Sequence, residues 1–356
     1  MRIAIDVMGG DHAPDAILAG SLDALELLSP DDTLVLVGEE AIIREAMDER
    51  AIRDDRIELE PASQVVGMAE IPVNALRAKT DSSIVRWASL GGKRAKRRQC
   101  DVLISAGNTG ACVAAVQISM RRLKGVYRPG IAVVIPSFHG PVTLCDVGAN
   151  PEPKPLHLYQ YAHMSTVYAQ RVIGVQEPRV ALLSIGGEET KGNTLVKQAN
   201  ALIKGDPRLN YVGYAEGRDL FDGKADVVVT EGFTGNVVLK LAEGLSEGLF
   251  RTIAHEIFEI DPELAIKFEP VVKSIYAKHD YHEYGGAPLL GANGICLICH
   301  GSSKARTIFS AIKKAKLYHE LRINDDIIET LARAKSRIGK LGLDNVASEG
   351  VGEEVA

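Results

Sequence analysis

The stretch from Ala225 to Lys240 gathers a carboxylate, a hydroxyl and an amide (Glu231, Thr234 and Asn236) around two glycines, Gly232 and Gly235. The apolar β-branched run Val227-Val228-Val229 before them predicts a strand covered on both faces. Thr234 has the chemistry of a helix N-cap, with the helix starting at Asn236. Free N–H groups at a helix start reached through glycine suit an anion such as phosphate. The same design stands earlier in the chain. Asp101-Val-Leu-Ile-Ser-Ala-Gly-Asn-Thr-Gly110 aligns with Asp226-Val-Val-Val-Thr-Glu-Gly-Phe-Thr-Gly235, placing Asn108, Thr109 and Gly110 on a second such turn. Two anion-ready turns predict a cleft lined from both sides.

Further polar turns follow predicted strands, where α/β proteins place ligands. Met8–Pro14 carries Asp11 and His12. The long connection Pro61–Asp81, with room for one short helix, holds Arg77 and Lys79 and leads into Ser82 at a helix start. Asp146–Pro155 offers Asp146, Asn150 and Lys154. Ser184–Asn193 offers Glu188 and Lys191. The P-loop, G-x-G-x-x-G, H-E-x-x-H and G-x-S-x-G patterns are absent. Without a nucleophile–base pair or metal cluster, such turns suit an anionic reactant held for attack. Phosphate is a nucleophile at neutral pH, and a thioester is an activated acyl group whose thiol ionises near pH ~8.5. Their reaction needs orientation and oxyanion stabilisation more than covalent catalysis.

The elements that position these turns alternate strand and helix. Strands are expected at 2–7, 35–37, 57–59, 101–104, 179–183, 211–213, 227–229 and 294–299. A strand pair is expected at 131–135 and 142–145. Helices are expected between them, and at 304–317 and 325–337. Asn236–Ile260 and Pro262–Lys278 read as a long helical pair with apolar residues near helical spacing, a dimer or core-packing pattern. Exposure of Phe258 and Ile260 at its bend would favour a membrane contact instead. Residues 339–356 read as a disordered tail.

The 356 residues suffice for one large domain with two lobes around a cleft. No apolar run reaches the ~18 residues of a membrane span, and no signal-peptide pattern opens the chain. A cytoplasmic protein is expected. The five cysteines read as reduced buried thiols. Cys296-Leu-Ile-Cys299-His300 has the haem-attachment spacing, but on a strand its cysteines point to opposite faces. A net charge of −6 argues against nucleic-acid binding. The basic run Lys93–Arg98 is expected to close a helix; it and the cluster Lys313–Lys316 are the local exceptions to the acidic balance.

Blocks along the chain resemble the bacterial phosphate acyltransferase family, the acyl-[acyl-carrier-protein]:phosphate transacylases. They are Ile5–Pro14, Ser105–Ala111, Asp146–Asn150, Gly186–Asn193, Asp226–Lys240 and Tyr284–Gly291, with His300–Ser303. The resemblance covers about residues 1–320. It implies a three-layer α/β/α sandwich like those of isocitrate dehydrogenase and phosphotransacetylase, dimeric and free of metal and cofactor. The implied reaction passes a long-chain acyl group from acyl carrier protein to inorganic phosphate, giving acyl phosphate for a downstream membrane acyltransferase of phospholipid synthesis. A short-acyl-coenzyme A phosphotransacetylase is the nearest alternative. Lys191 and Asn236 match the family's catalytic positions. Lys191 would meet phosphate charge or the developing oxyanion, and Asn236 would orient phosphate or carbonyl. Asp11, His12, Lys79, Ser82, Asn108, Thr109, Gly110, Asp146, Asn150, Lys154, Glu188, Thr234 and Gly235 would bind substrate, with Asn108 and Lys191 facing the phosphate. Glu231 stands where the family favours Asp, and Gly187 where it often has Thr. The acidic carrier would find a dock on Lys93–Arg98 or Lys313–Lys316, and the lipid-like product a peripheral membrane contact at Phe258–Ile260.

Overall fold

In the computed structural model, residues 1–279 and 285–340 are described, with side chains to residue 271 in the first stretch and 335 in the second. Residues 280–284 and most of the expected tail, from residue 341, lie outside them.

The central strands carry apolar residues on both faces and sit in one sheet covered on both sides. In β1 (Arg2–Asp6), Ile3 and Ile5 join one core layer and Ala4 the other. In β2 (Thr33–Gly38), Leu34 and Leu36 oppose Val35 and Val37 in the same way. This period of two, apolar on both faces, gives a three-layer sandwich. The remaining strands are β3 (Ile57–Pro61), β4 (Val102–Ser105), β5 (Gly130–Ile135), β6 (Val142–Cys145), β7 (Arg179–Leu183), β8 (Asn210–Ala215), β9 (Val227–Val229), β10 (Ala287–Leu290) and β11 (Ile295–Ile298).

Among the described residues these form one sheet in the order β3-β2-β1-β4-β11-β10-β5-β6-β9-β7-β8. Strands β3, β2, β1, β4 and β11 are mutually parallel, as are β6, β9, β7 and β8. Between the two sets, β10 and β5 pair antiparallel with each other and with their outer neighbours. The halves of the sheet therefore run in opposite directions.

One layer is built by α1 (Asp15–Asp23), α2 (Glu40–Glu49), α6 (Pro155–Tyr168), α7 (Thr194–Lys204), α10 (Ala305–Glu320) and α11 (Ile323–Lys340). The other holds α3 (Pro72–Ala78), which is the short helix of the long connection, with α4 (Ser83–Gly91) and α5 (Thr109–Ser119). Two long helices, α8 (Gly232–Ile260) and α9 (Pro262–His279), form the expected pair. Helix α11 reaches Lys340, past Gly339, where the tail was expected to begin.

Two further expectations need correction. Strand β10 falls where no strand is expected, in the block Tyr284–Gly291; Pro288 and the flanking glycines hide a strand whose mate, β5, is distant in sequence. The basic run Lys93–Arg98 is a separate 3-10 turn, because Gly92 is extended and ends α4 before it.

Candidate active site

Helix α8 starts four residues earlier than the Thr234 cap predicts. Glu231 is the N-cap: its carboxylate accepts from the N–H of Phe233 at 2.6 Å and of Thr234 at 2.9 Å. Thr234 gives its hydroxyl to the same carboxylate. A carboxylate here satisfies two orphan N–H groups and complements the helix dipole.

The start of α8 is fastened to the loop after β6. The Gly232 N–H donates to the Asn150 carbonyl at 2.8 Å, and the Asp146 N–H to the Thr230 carbonyl at 3.0 Å. Asp146 is fully buried, and its carboxylate accepts from the N–H groups of Ile131, Gly148, Ala149 and Asn150 at 2.7–3.2 Å. Burial raises its pKa, and those N–H groups oppose the rise. The Asn150 amide donates to the Pro129 carbonyl at 2.6 Å and the Tyr161 hydroxyl at 2.8 Å. Asp146 and Asn150 thus spend their polar groups on holding the turn.

The twin turn is fixed by different means. Asn108 caps α5 through the Ala111 N–H at 3.0 Å. Its amide also donates to the Met68 and Glu70 carbonyls, both at 3.0 Å, and to that of Gly67 at 3.3 Å. Asn108 therefore organises the loop before α3 rather than facing the other turn. Beneath it, the buried Asp6 carboxylate accepts from the Ser105 hydroxyl at 2.7 Å, tying the ends of β1 and β4.

Both turns reach one cavity of about 450 Å³. Thr109 and Gly110 from α5 and Asn236 from α8 line it together, as the paired motif predicts. Its walls are largely apolar: Ile131, Val133, Val134, Val147, Leu239 and Ile298. Asn236, Lys240 and Glu243 follow the i, i+4, i+7 spacing of a single helix face, and all three line the cavity. Asp11 and His300, from the loops after β1 and β11, also line it. The Asp11 N–H donates to the Gly301 carbonyl at 2.7 Å, joining those two loops. Lys240 bonds His300 Nε2 and pairs with Glu243 at 2.9 Å, so α8 spans from its root at β9 to the loop after β11.

The other expected residues lie outside the cavity lining. Lys191 and Glu188 are exposed in the loop between β7 and α7, at the strand next to β9. Lys79 pairs with Glu70 and donates to the Val65 carbonyl at 2.8 Å. Ser82 is buried at the start of α4, and His12 is exposed in the turn before α1. Lys154 caps α6, its N–H donating to His157 Nδ1 at 3.0 Å. Burial, with the charge of Arg128 and Lys154 nearby, brings His157 down to about 4. Thr234 and Gly235 stay in the first turn of α8, against the anchoring loop.

Lys240 and His300 stand in the blocks that carry the resemblance but are not among the expected site residues, and Glu243 lies outside every block. Their signal was the spacing from Asn236 along the helix, and the position of His300 just past a strand end. The cysteines of the haem-like spacing divide as strand geometry requires, Cys296 into one core layer and Cys299 into the other.

The fold is that of phosphotransacetylase-like proteins. The phosphotransacetylase of Streptococcus pyogenes superposes with a TM-score of 0.56 at 14% identity, covering 94% of each chain. A branched-chain phosphotransacylase from Enterococcus faecalis V583 gives 0.53 at 15% identity, covering 89% of this chain and 98% of that one. The sequence is more specific. Residues 1–324 match the family described as Fatty acid synthesis protein. The phosphate acyltransferase of Desulfitobacterium hafniense (strain DSM 10664 / DCB-2) is 45% identical over 336 residues, 94% of this chain and 98% of that protein. That of Geobacter sulfurreducens is 42% identical over 334 residues, 93% and 94% of the two. The chain belongs to the phosphate acyltransferase family.

Proposed function

We propose that the protein transfers a long-chain fatty acyl group from acyl carrier protein to inorganic phosphate, releasing acyl phosphate for phospholipid synthesis. The observation that carries this reading is the cavity itself. Its apolar walls suit a hydrocarbon chain, while Asn236, in the second turn of α8, and Thr109, at the start of α5, offer an amide and a hydroxyl to the phosphate and the thioester carbonyl. The relatives bear the name phosphate acyltransferase. Asn236 orients phosphate or carbonyl, its side chain lying against Gly148. Lys191, with no ion-pair partner among the described residues, supplies positive charge from the neighbouring strand end.

The reading extends to assembly. Val237, Leu241, Leu245, Leu249 and Ile253 recur every four residues along α8 and are all exposed. A second copy of the chain covers this stripe in a homodimer. At the bend, Phe258 is 56% and Ile260 77% exposed, which favours peripheral contact with a membrane, where a downstream acyltransferase receives the product. No helix among the described residues is long and apolar enough to cross one. The protein acts from the cytoplasm, without a cofactor. Of the basic clusters, Lys316 is held by Asp32 and the Leu27 carbonyl, and burial lowers Lys314 to about 8. Lys93, Arg94, Lys96 and Arg97 are exposed and better placed to meet an acidic carrier, though they precede β4 while Thr109 and Gly110 of the cavity follow it.

The test is phosphate-dependent formation of acyl phosphate, trapped with hydroxylamine, by purified protein given acyl carrier protein thioesters. Faster turnover with coenzyme A thioesters of short acids would replace this reading with the phosphotransacetylase one. No acyl phosphate from either would end both.

A further inference from the structure

The expected cation, Lys191, does not line the cavity. Lys240 is the one lysine or arginine among the described residues that does. It reaches His300, and a lysine ammonium can only donate. His300 Nε2 therefore accepts, and the ring proton sits on Nδ1, facing the Ser302 hydroxyl at 2.7 Å. The Ser302 N–H also donates toward Nδ1, at 3.2 Å, and a neutral ring can accept at only one nitrogen; the charge-assisted contact of Lys240 is the stronger and takes the lone pair of Nε2, while the N–H gives way. Ser302 thus holds one side of the ring, and the other side, Nε2, meets Lys240 at the cavity wall. Of the charged groups around it, Lys240 and Glu243 come from α8 and Asp11 from the loop after β1, while Lys304 and Arg306 follow it in the chain. Glu243 Oε2 lies 4.0 Å from Nε2.

We infer that Lys240 and His300 form the phosphate-charge and proton-transfer site of this enzyme. The inference rests on the acyl-to-phosphate reading above. Hydrogen phosphate draws the Lys240 ammonium onto its oxygens, which frees Nε2. An oxygen of the phosphate attacks the thioester carbon as its O–H proton passes to Nε2, so a C–O bond forms. The C–S bond then breaks with its electron pair leaving on sulfur. The proton on Nε2 passes to that thiolate. Thioester and hydrogen phosphate dianion become acyl phosphate dianion and thiol, with charge and protons balanced and His300 returned neutral. Asn236, one helical turn from Lys240, holds the same oxygens from the other side.

Steady-state kinetics of the full-length protein across pH, with acyl carrier protein thioester and inorganic phosphate varied separately, test this. His300→Gln is expected to lower kcat roughly 100-fold, to leave the KM for the thioester within about threefold, and to abolish the acid limb of the kcat profile. Lys240→Gln is expected to raise the KM for phosphate roughly tenfold, and Lys240→Arg to recover most of it. The residues are partly exposed, and circular dichroism melts check that each variant folds. If folded His300→Gln keeps kcat within about threefold and retains the acid limb, the proton path is wrong. An unchanged KM for phosphate in Lys240→Gln removes the charge role. Failure of the wild type to form acyl phosphate is a different result: it overturns the reaction itself, and this inference falls with it.

Discussion

A methyl group on Gly235 would lie 1.9 Å from the carbonyl oxygen of Asp146. The first turn of α8 packs backbone to backbone on the loop after β6, and no side chain fits between them. A Cβ on Gly232 would likewise meet the Asn150 carbonyl at 2.8 Å. These glycines, which read as room for a ligand, make room for the protein's own chain. Gly235→Ala is expected to destabilise the fold by about 2 kcal/mol or more through forced displacement. Gly187→Ala, with nothing within 4 Å of the added carbon, is expected to be neutral. Urea midpoints of the two variants check the contrast.

Asn236 is common to the motif, the implied catalytic pair and the cavity. Asn236→Ala is expected to cut kcat roughly 100-fold, the usual effect of removing one donor to a developing oxyanion. Lys191→Ala, acting from the exposed neighbouring loop, is expected to weaken kcat/KM for phosphate most. Near-normal turnover in a folded Lys191→Ala protein would remove that lysine from the chemistry.

His157 gives a pH dependence of stability. Its folded pKa of about 4 lies below the value of about 6.5 in an unfolded chain. Between those values the unfolded state binds a proton that the folded state refuses, so stability falls as pH drops from about 6.5 to about 4. The loss from this residue is on the order of 2–3 kcal/mol. His157→Asn keeps an acceptor for the Lys154 N–H and is expected to flatten the curve of melting temperature against pH in that window. The buried His163, lowered by burial against the pull of Asp206, adds to the same trend.

The apolar stripe and the apolar bend separate by mutation. Leu245→Glu with Leu249→Glu is expected to convert a dimer into a monomer by sedimentation equilibrium. Phe258→Ser with Ile260→Ser is expected to leave the dimer intact and to reduce binding to anionic phospholipid vesicles at least fivefold. A monomeric wild type, or unchanged vesicle binding by the second variant, would refute the corresponding assignment.

The strands were legible because their apolar period is local, and both helix starts because glycine and capping residues stand beside them. Partnership was less so. Asp146, Asn150 and Asn108 carry the polar chemistry expected of ligand-binding groups. Their use in anchoring α8, or the loop before α3, depends on residues far away in the chain. The Glu231 cap was hidden because Thr234 has the better N-cap chemistry and is itself a donor to the true cap. Strand β10 exists through pairing with β5, which no local pattern around Pro288 announces.

Helix α8 enters the cavity at Asn236, touches His300 through Lys240 one turn later, and carries its apolar stripe onward to Ile260. From Asn236 that is about 36 Å at ~1.5 Å per residue. It is a long rod rooted beside the cavity. A tilt of a few degrees imposed at its far end, by a second chain or a bilayer, changes the gap between Lys240 and His300. On the reading proposed above, attachment and chemistry would be mechanically one variable.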